Sequence, residues 1–345
     1  MLKYFHARTL LLSGLLLALA VFLFLSAQLY VVYSWLDKPL PVEQEFLLEL
    51  EPGSTFSVVS RKIAEHVGVI SPVHLKVWAL HARFTGLEKD LKAGDYMISP
   101  GMTPEQITLY LVSGRVASYS FRIQEGWTVY QLRQSLLATK KLTSETAPWT
   151  DGELVKMLGI EADNTEGLFF PDTYQYIRGD SDRSILLRAY EKMQQVMNRE
   201  WQLRAIDLPL KNIYQALTLA SIIEKETGRE SEREHISQVF NNRLIKNMRL
   251  QTDPTVIYGL ARSFDGNLTR KHLDTDSMYN TYTRKGLPPT PISLPGLASI
   301  QAALHPSPGK LIYFVGKGDG SSKFSENLDD HLAAVRRFQL EINSP

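Results

Sequence analysis

The sequence predicts an α+β protein: a single N-terminal transmembrane helix, then a small α/β module, then a larger mixed α/β domain. Three observations carry this. No residue from Thr9 to Leu36 is charged, and Leu10–Tyr33 is rich in Leu, Val, Phe and Ala. Short alternating segments are interleaved with segments of helical period. The chain has 345 residues, room for about two domains at ~100–200 residues each. The average composition is that of a globular protein, 44% hydrophobic and 22% charged, which excludes a mostly disordered chain and a multi-span membrane protein. Lys plus Arg number 38 against 37 Asp plus Glu, a balance that argues against a nucleic-acid binder working by phosphate neutralisation. There is no cysteine, so disulfides, thiolate zinc sites and cysteine nucleophiles are excluded.

The first element is the apolar run. A helix needs ~20 apolar residues to cross a bilayer core, and this run is long enough with some tilt. Lys3 and Arg8 precede it, which predicts a cytoplasmic N-terminus over residues 1–8, an anchor over 9–36 and the rest of the chain outside. Tyr30, Tyr33 and Trp35 fall where an aromatic interface belt would. A cleaved signal peptide would have a shorter apolar core and a small-residue cleavage site near its end; here Ser26-Ala27 is followed by more apolar residues, so the uncleaved anchor is favoured. Residues 37–44, with Pro39 and Pro41, read as a stiff spacer.

Residues 45–117 read as the small module: an alternating strand from Glu45, a turn at Pro52–Thr55, a helix from Phe56, a second helix opened by Ser71-Pro72, a strand over Lys92–Ile98, and a third helix from Pro104 ending near Gly114. A new domain begins at about residue 118. Its expected elements are a strand near Tyr119–Ile123, a helix through Leu132 and Leu137, and loops with a short helix over 140–163. A dense aromatic stretch follows at Gly167–Tyr174, with Phe169, Phe170 and Tyr174 expected in the core. Long helices are expected over 182–203 and 213–226. Beyond Arg249 the chain turns Pro- and Gly-rich; a strand at Leu311–Val315, a return strand at Phe324 and a helix from Asp329 to Ile342 complete it.

No nucleophile elbow, phosphate loop or zinc-helix motif occurs. The glycines at 316, 318 and 320 suit a hairpin turn, and His272 with Asp274 and Asp276 suits a solvated loop better than a metal site. No metal and no cofactor is expected. What remains is carboxylate chemistry. Glu224 and Glu226 sit where a largely apolar helix ends. A carboxyl against apolar walls has its charged form desolvated, which raises its pKa and suits it to general acid work; solvating the helix end is the competing reading. Residues two apart on a helix point ~200° apart, so the pair cannot share one bond. The wheel places Glu224 at the centre of the Ile213/Leu217/Ala220 stripe and Glu226 on its flank, a weak lean towards Glu226. Gln251-Thr-Asp-Pro-Thr reads as a polar turn with an acid at Asp253. Together with Tyr279-Asn-Thr-Tyr and Gly286-Leu-Pro-Pro it suggests a long polar cleft.

At these residues the chain resembles the MltG (YceG-like) family of membrane-anchored endolytic murein transglycosylases. The matching segments are Ala220-Ser-Ile-Ile-Glu-Lys-Glu-Thr, Arg249-Leu-Gln-Thr-Asp-Pro-Thr-Val-Ile-Tyr-Gly, Tyr279-Asn-Thr-Tyr, Gly286-Leu-Pro-Pro, Ala303-Leu-His-Pro and Glu166-Gly-Leu-Phe-Phe-Pro-Asp-Thr-Tyr, in family order over essentially the whole chain. The resemblance implies cleavage of peptidoglycan between N-acetylmuramic acid and N-acetylglucosamine without water, leaving a 1,6-anhydromuramyl end. One carboxylic acid protonates the bridging oxygen and then, as carboxylate, takes the proton of the attacking 6-hydroxyl. Two-carboxylate glycosidases instead hold their acids ~5–9.5 Å apart. The family's catalytic glutamate maps to Glu226, with Glu224 as fallback. Gln251, Asp253, Tyr279 and Asn280 are the implied substrate-binding residues. Gly228 departs from the pattern and would end the helix early. The 45–117 module would be LysM-like and 118–345 the catalytic domain. The implied setting is the bacterial inner membrane, with the catalytic domain periplasmic and peptidoglycan polymerases as partners. A hydrolytic muramidase and a non-catalytic glycan-binding scaffold are the alternatives.

Overall fold

In a computed structural model of the chain, the described residues are 2–68, 70–160, 164–226 and 229–340. They divide into two units, Met1–Tyr119 with Ile177–Gly179, and Ser120–Tyr176 with Asp180–Pro345.

The first unit opens with helix α1, Leu2–Tyr33. The segment Gly14–Asp37 has a mean hydropathy of 2.5 and is long and apolar enough to cross a membrane; none of it is packed inside the protein over its most apolar window. A 3-10 turn at Ser34–Asp37 leads into the module. Strand β1, Phe46–Leu50, pairs antiparallel with β2, Gly94–Ile98, Phe46 opposite Ile98 and Leu50 opposite Gly94. Between them run α2, Phe56–Val67, and α3, Pro72–Phe84. Gly68 ends α2 in the left-handed region at φ 77°, where a Cβ would be strained. Ser71 caps α3 by accepting from the Val73 N–H, and Pro72 fills the position whose N–H needs no partner. Helix α4, Pro104–Ser113, starts with a reciprocal Thr103–Gln106 capping box. The core joins Leu48, Phe56, Ile63, Trp78, Tyr96, Ile107 and their neighbours. Residues 37–44 do not form the free-standing spacer that Pro39 and Pro41 suggest. Leu40 and Val42 are buried in this same core, and the Leu40 N–H donates to the Met102 carbonyl. Two apolar side chains among prolines found a core to enter, a tertiary gain that local composition does not register. Asp95 is fully buried on β2 and accepts from Tyr119 and from Arg178, which also pairs with Glu49 at 2.7 Å.

Strand β3, Ser118–Arg122, pairs with β4, Thr173–Ile177. The second unit is mainly helical. Capping boxes start α5, Val129–Leu137, and α6, Asp151–Leu158. Helix α7, Asp182–Leu203, and helix α8, Ile213–Glu226, have the bounds their sequence patterns predict. Every residue from Ala216 to Ile223 is buried, so α8 is the unit's central helix rather than an amphipathic surface one. Around it lie α9, Arg233–Ile245; α10, Asp253–Leu260; the short α11, Arg270–Asp274; and α12, Leu297–Leu304, which packs along α8. The segment Gln251–Thr255, expected as a plain turn, instead starts α10 with Asp253 and Pro254 in its first turn. Phe169, Phe170 and Tyr174 are core residues. Hairpin β5–β6, Tyr313–Gly316 and Ser322–Ser325, sets Phe314 opposite Phe324 and packs against α13, Leu328–Val335. The C-terminal helix is α-helical only to Val335 and continues as a π-helical turn over Arg336–Leu340; its expected end at Ile342 lies outside the described residues, as does Gly228.

Candidate active site

Helix α8 delivers Glu224 and Glu226 to different surroundings. Glu224 accepts from the Gly296 N–H at 2.9 Å, at the start of α12. The segment carrying Gly296 is tied to α8 upstream as well, where the Ile292 N–H donates to the Ser221 hydroxyl at 3.0 Å. Gly296 is where the approach is tightest: a Cβ there would lie 1.9 Å from a Glu125 carboxyl oxygen. Glu125 has its pKa raised by burial and by the nearby Glu224 charge. Glu224 therefore caps and orders, in line with a position at the centre of the apolar stripe.

Glu226 faces the first turn of α10. The buried Thr252 hydroxyl donates to its Oε1. Among the described residues this is the one hydrogen bond to the carboxyl. Burial pushes the Glu226 pKa up to about 7; the Thr252 bond and the Arg243 guanidinium pull it down, and the Asp253 charge pushes it further up. The Asp253 carboxylate is held by the Tyr282 hydroxyl at 2.6 Å. Burial, then Asp253, then Glu226 raise the pKa of that phenol. Arg243 is buried on α9 and braces the segment before α10, donating to the Leu250 carbonyl at 2.7 Å and to the Gln251 side chain at 3.4 Å. Gln251 holds a left-handed backbone at φ 51°, uncommon for a residue with a Cβ, and its N–H donates to the Thr281 carbonyl at 3.1 Å. Gln251 and Tyr282 line an open polar cavity of about 610 Å³ with Arg249, Arg270, Leu273, Asp274 and Thr283.

The structure thus brings Glu226, Gln251 and Asp253 together, and places two other sequence-predicted residues elsewhere. Asn280 is 1% exposed and does not reach the cavity: its amide donates to the carbonyls of His272, Leu273 and Thr275 and its oxygen accepts from the Tyr282 N–H. It shapes the loop that presents Tyr282. Tyr279 packs edge-on against Tyr258 and bonds Thr290 at 2.9 Å, in a second network. There Glu166, 5% exposed, accepts from the Val129 N–H at 3.0 Å and from the Tyr258 hydroxyl at 3.1 Å. Burial raises its pKa to about 7 despite those bonds. Glu166 and Tyr258 line a further cavity of about 420 Å³. Residue-by-residue reading missed Thr252, Arg243, Tyr282, Tyr258 and Glu166 as site groups. All but Arg243 stand inside the motif segments quoted above, which was the available signal. Among the described residues no cluster of His, Asp and Glu is arranged to hold a metal ion.

A half-enclosed carboxyl with its pKa raised to about 7, bonded by the neighbour of a cavity-lining glutamine, is equipped for acid–base work. A sequence model of the YceG-like family matches residues 48–337, and the chain belongs to that family. It is 29% identical over 309 residues to the endolytic murein transglycosylase of Bacillus subtilis, covering 84% of each protein. It is 26% identical over 348 residues to the protein of the same name in Streptococcus pneumoniae R6, covering 89% of this chain but spanning only 62% of that longer relative. Among solved structures, that of a yceG-like protein of Listeria monocytogenes superimposes with a TM-score of 0.52 at 29% identity, covering 84% of this chain and 99% of the other.

Proposed function

We propose that the chain is a membrane-anchored endolytic murein transglycosylase, cutting glycan strands between N-acetylmuramic acid and N-acetylglucosamine and leaving 1,6-anhydro ends. The observation that carries this is the Glu226 carboxyl, whose pKa burial raises to about 7 and which is bonded by Thr252, the neighbour of the cavity-lining Gln251. The protonated carboxyl gives its proton to the bridging oxygen as that bond breaks. The resulting carboxylate, steadied by the Thr252 hydroxyl, takes the proton of the muramyl 6-hydroxyl as that oxygen closes on the anomeric carbon. The same group ends as it began, so no water and no second acid is consumed. Gln251, Asp253 and Tyr282 contact the sugar; Asn280 and Tyr279 act by positioning their loop. Glu224 remains the fallback only if Glu226 proves dispensable.

One observation favours a second reading. Asp253, from another helix, is close enough to Glu226 to perturb it, and two carboxylates could support a hydrolytic muramidase. The product decides. Transglycosylation yields fragments one water lighter, with no label from ¹⁸O-water; muramidase action yields reducing ends carrying the label, and would overturn the non-hydrolytic reading.

The strand–helix–helix–strand order of β1, α2, α3 and β2 supports a LysM-like reading of the module. The apolar α1, preceded by Lys3 and Arg8, supports an inner-membrane anchor with the catalytic unit in the periplasm, where emerging strands and their polymerases are the partners.

A further inference from the structure

We infer that the C-terminal half of α3 enters the lipid headgroup layer beside the anchor, making the small module a second membrane contact; this rests on the reading of α1 as a spanning helix. Val73, Leu80 and Phe84 on α3 are 56%, 48% and 86% exposed. With Val77, half-buried between them, they fall within a ~60° arc at ~100° per residue, so the stripe is one continuous apolar face. Its flanks differ. On one side Lys76 is an exposed cation, suited to a lipid phosphate, and Arg83, also exposed, pairs with Glu88 at 3.1 Å. On the other side stand His74 and His81, and these touch the anchor. Trp35 stacks on His74 with ring centroids 4.7 Å apart, and the Tyr33 hydroxyl bonds His81 Nδ1 at 3.0 Å. His81 is in turn held by Glu105 at 2.9 Å.

These contacts also give the direction of α3. Tyr33, nearer the apolar run, meets its C-terminal half; Trp35, nearer the module, meets its N-terminal half. The last turn of α3 therefore points back toward the membrane end of α1. Tyr30 and Tyr33 close the apolar run of α1, which sets them at the membrane boundary. Phe84 lies ~4.5 Å beyond His81 along α3, at ~1.5 Å per residue, and so at that boundary. An apolar face contiguous with a lipid-facing helix and edged by the Lys76 cation fits a lipid surface as its occupant. Because Leu36, Leu40 and Val42 are buried in the module core, the module cannot swing away from the anchor as a tethered bead would.

The chain has no cysteine, so one introduced cysteine carries a spin label without background. Full-length protein would be placed in nanodiscs of phosphatidylethanolamine and phosphatidylglycerol, labelled at Phe84→Cys, at Leu23→Cys as the membrane reference, and at Glu65→Cys, exposed at the far end of α2, as the aqueous one. Collision with a water-soluble nickel chelate should be several-fold lower at 84 than at 65, with oxygen collision higher. Equal chelate access at 84 and 65, with 23 shielded, would overturn the inference and leave the anchor standing. Free chelate access at 23 would remove the anchor and the inference with it. Phe84 is a surface residue, so its replacement leaves the core intact.

Discussion

Burial, and then the Asp253 charge, raise the Glu226 pKa to about 7, while the Thr252 hydroxyl and the Arg243 guanidinium favour ionisation. Each of these is separately removable. Thr252→Val deletes the bond that favours the carboxylate, so the Glu226 pKa rises. If the protonated form is the active one, the alkaline fall in kcat/KM, set near pH 7 in the native protein, moves to higher pH; a pH–rate profile reads this, and an unmoved limb would detach Thr252 from the chemistry. The same shift has a stability consequence. A carboxyl whose folded pKa lies above its unfolded value, from 4.5 to about 7, binds its proton more tightly when folded, so stability falls as pH rises through that window. Glu226→Gln is therefore expected to unfold later than the native chain at pH 8, by roughly 1–3 kcal/mol, and no later at pH 4, where both states are protonated. Thermal unfolding at the two pH values checks it. An activity loss of ~10²–10⁴-fold should accompany that gain in stability, as expected for an acid–base residue.

At the scale of elements, α8 works as a two-sided strut. Its Ser221 and Glu224 hold the segment leading into α12, and its last residue reaches α10. Glu224→Ala removes an acceptor from the start of α12 and should cost about 1 kcal/mol of stability while leaving glycan cleavage measurable. In the first unit, Arg178→Ala would strand the fully buried Asp95 with one fewer donor; breaking such a pair costs about 3–5 kcal/mol, read as an early unfolding transition. Much of this level was legible in the sequence. Helices 182–203 and 213–226 stood out because each is a long run of helical pattern. What was not legible came from distance. Thr252 meets Glu226 across 26 positions, Asn280 spends its amide inside its own loop, and Leu40 and Val42 are buried only because a core lies beside them. Composition and periodicity carry local preference, and none of these three facts is local.

The whole molecule joins an apolar helix and a module packed onto its end to a mainly helical unit that carries Glu226. The resemblance in sequence anticipated the family, which the match over residues 48–337 shows. On the proposed reading, an anchor at α1 would confine cleavage to glycan near the bilayer. The most direct test of the central claim is product analysis of purified murein treated with native protein, Glu226→Gln and Glu224→Gln side by side. Anhydro-ended fragments are expected from the native and Glu224→Gln proteins, and almost none from Glu226→Gln. Undiminished release of anhydro fragments by Glu226→Gln would contradict that claim.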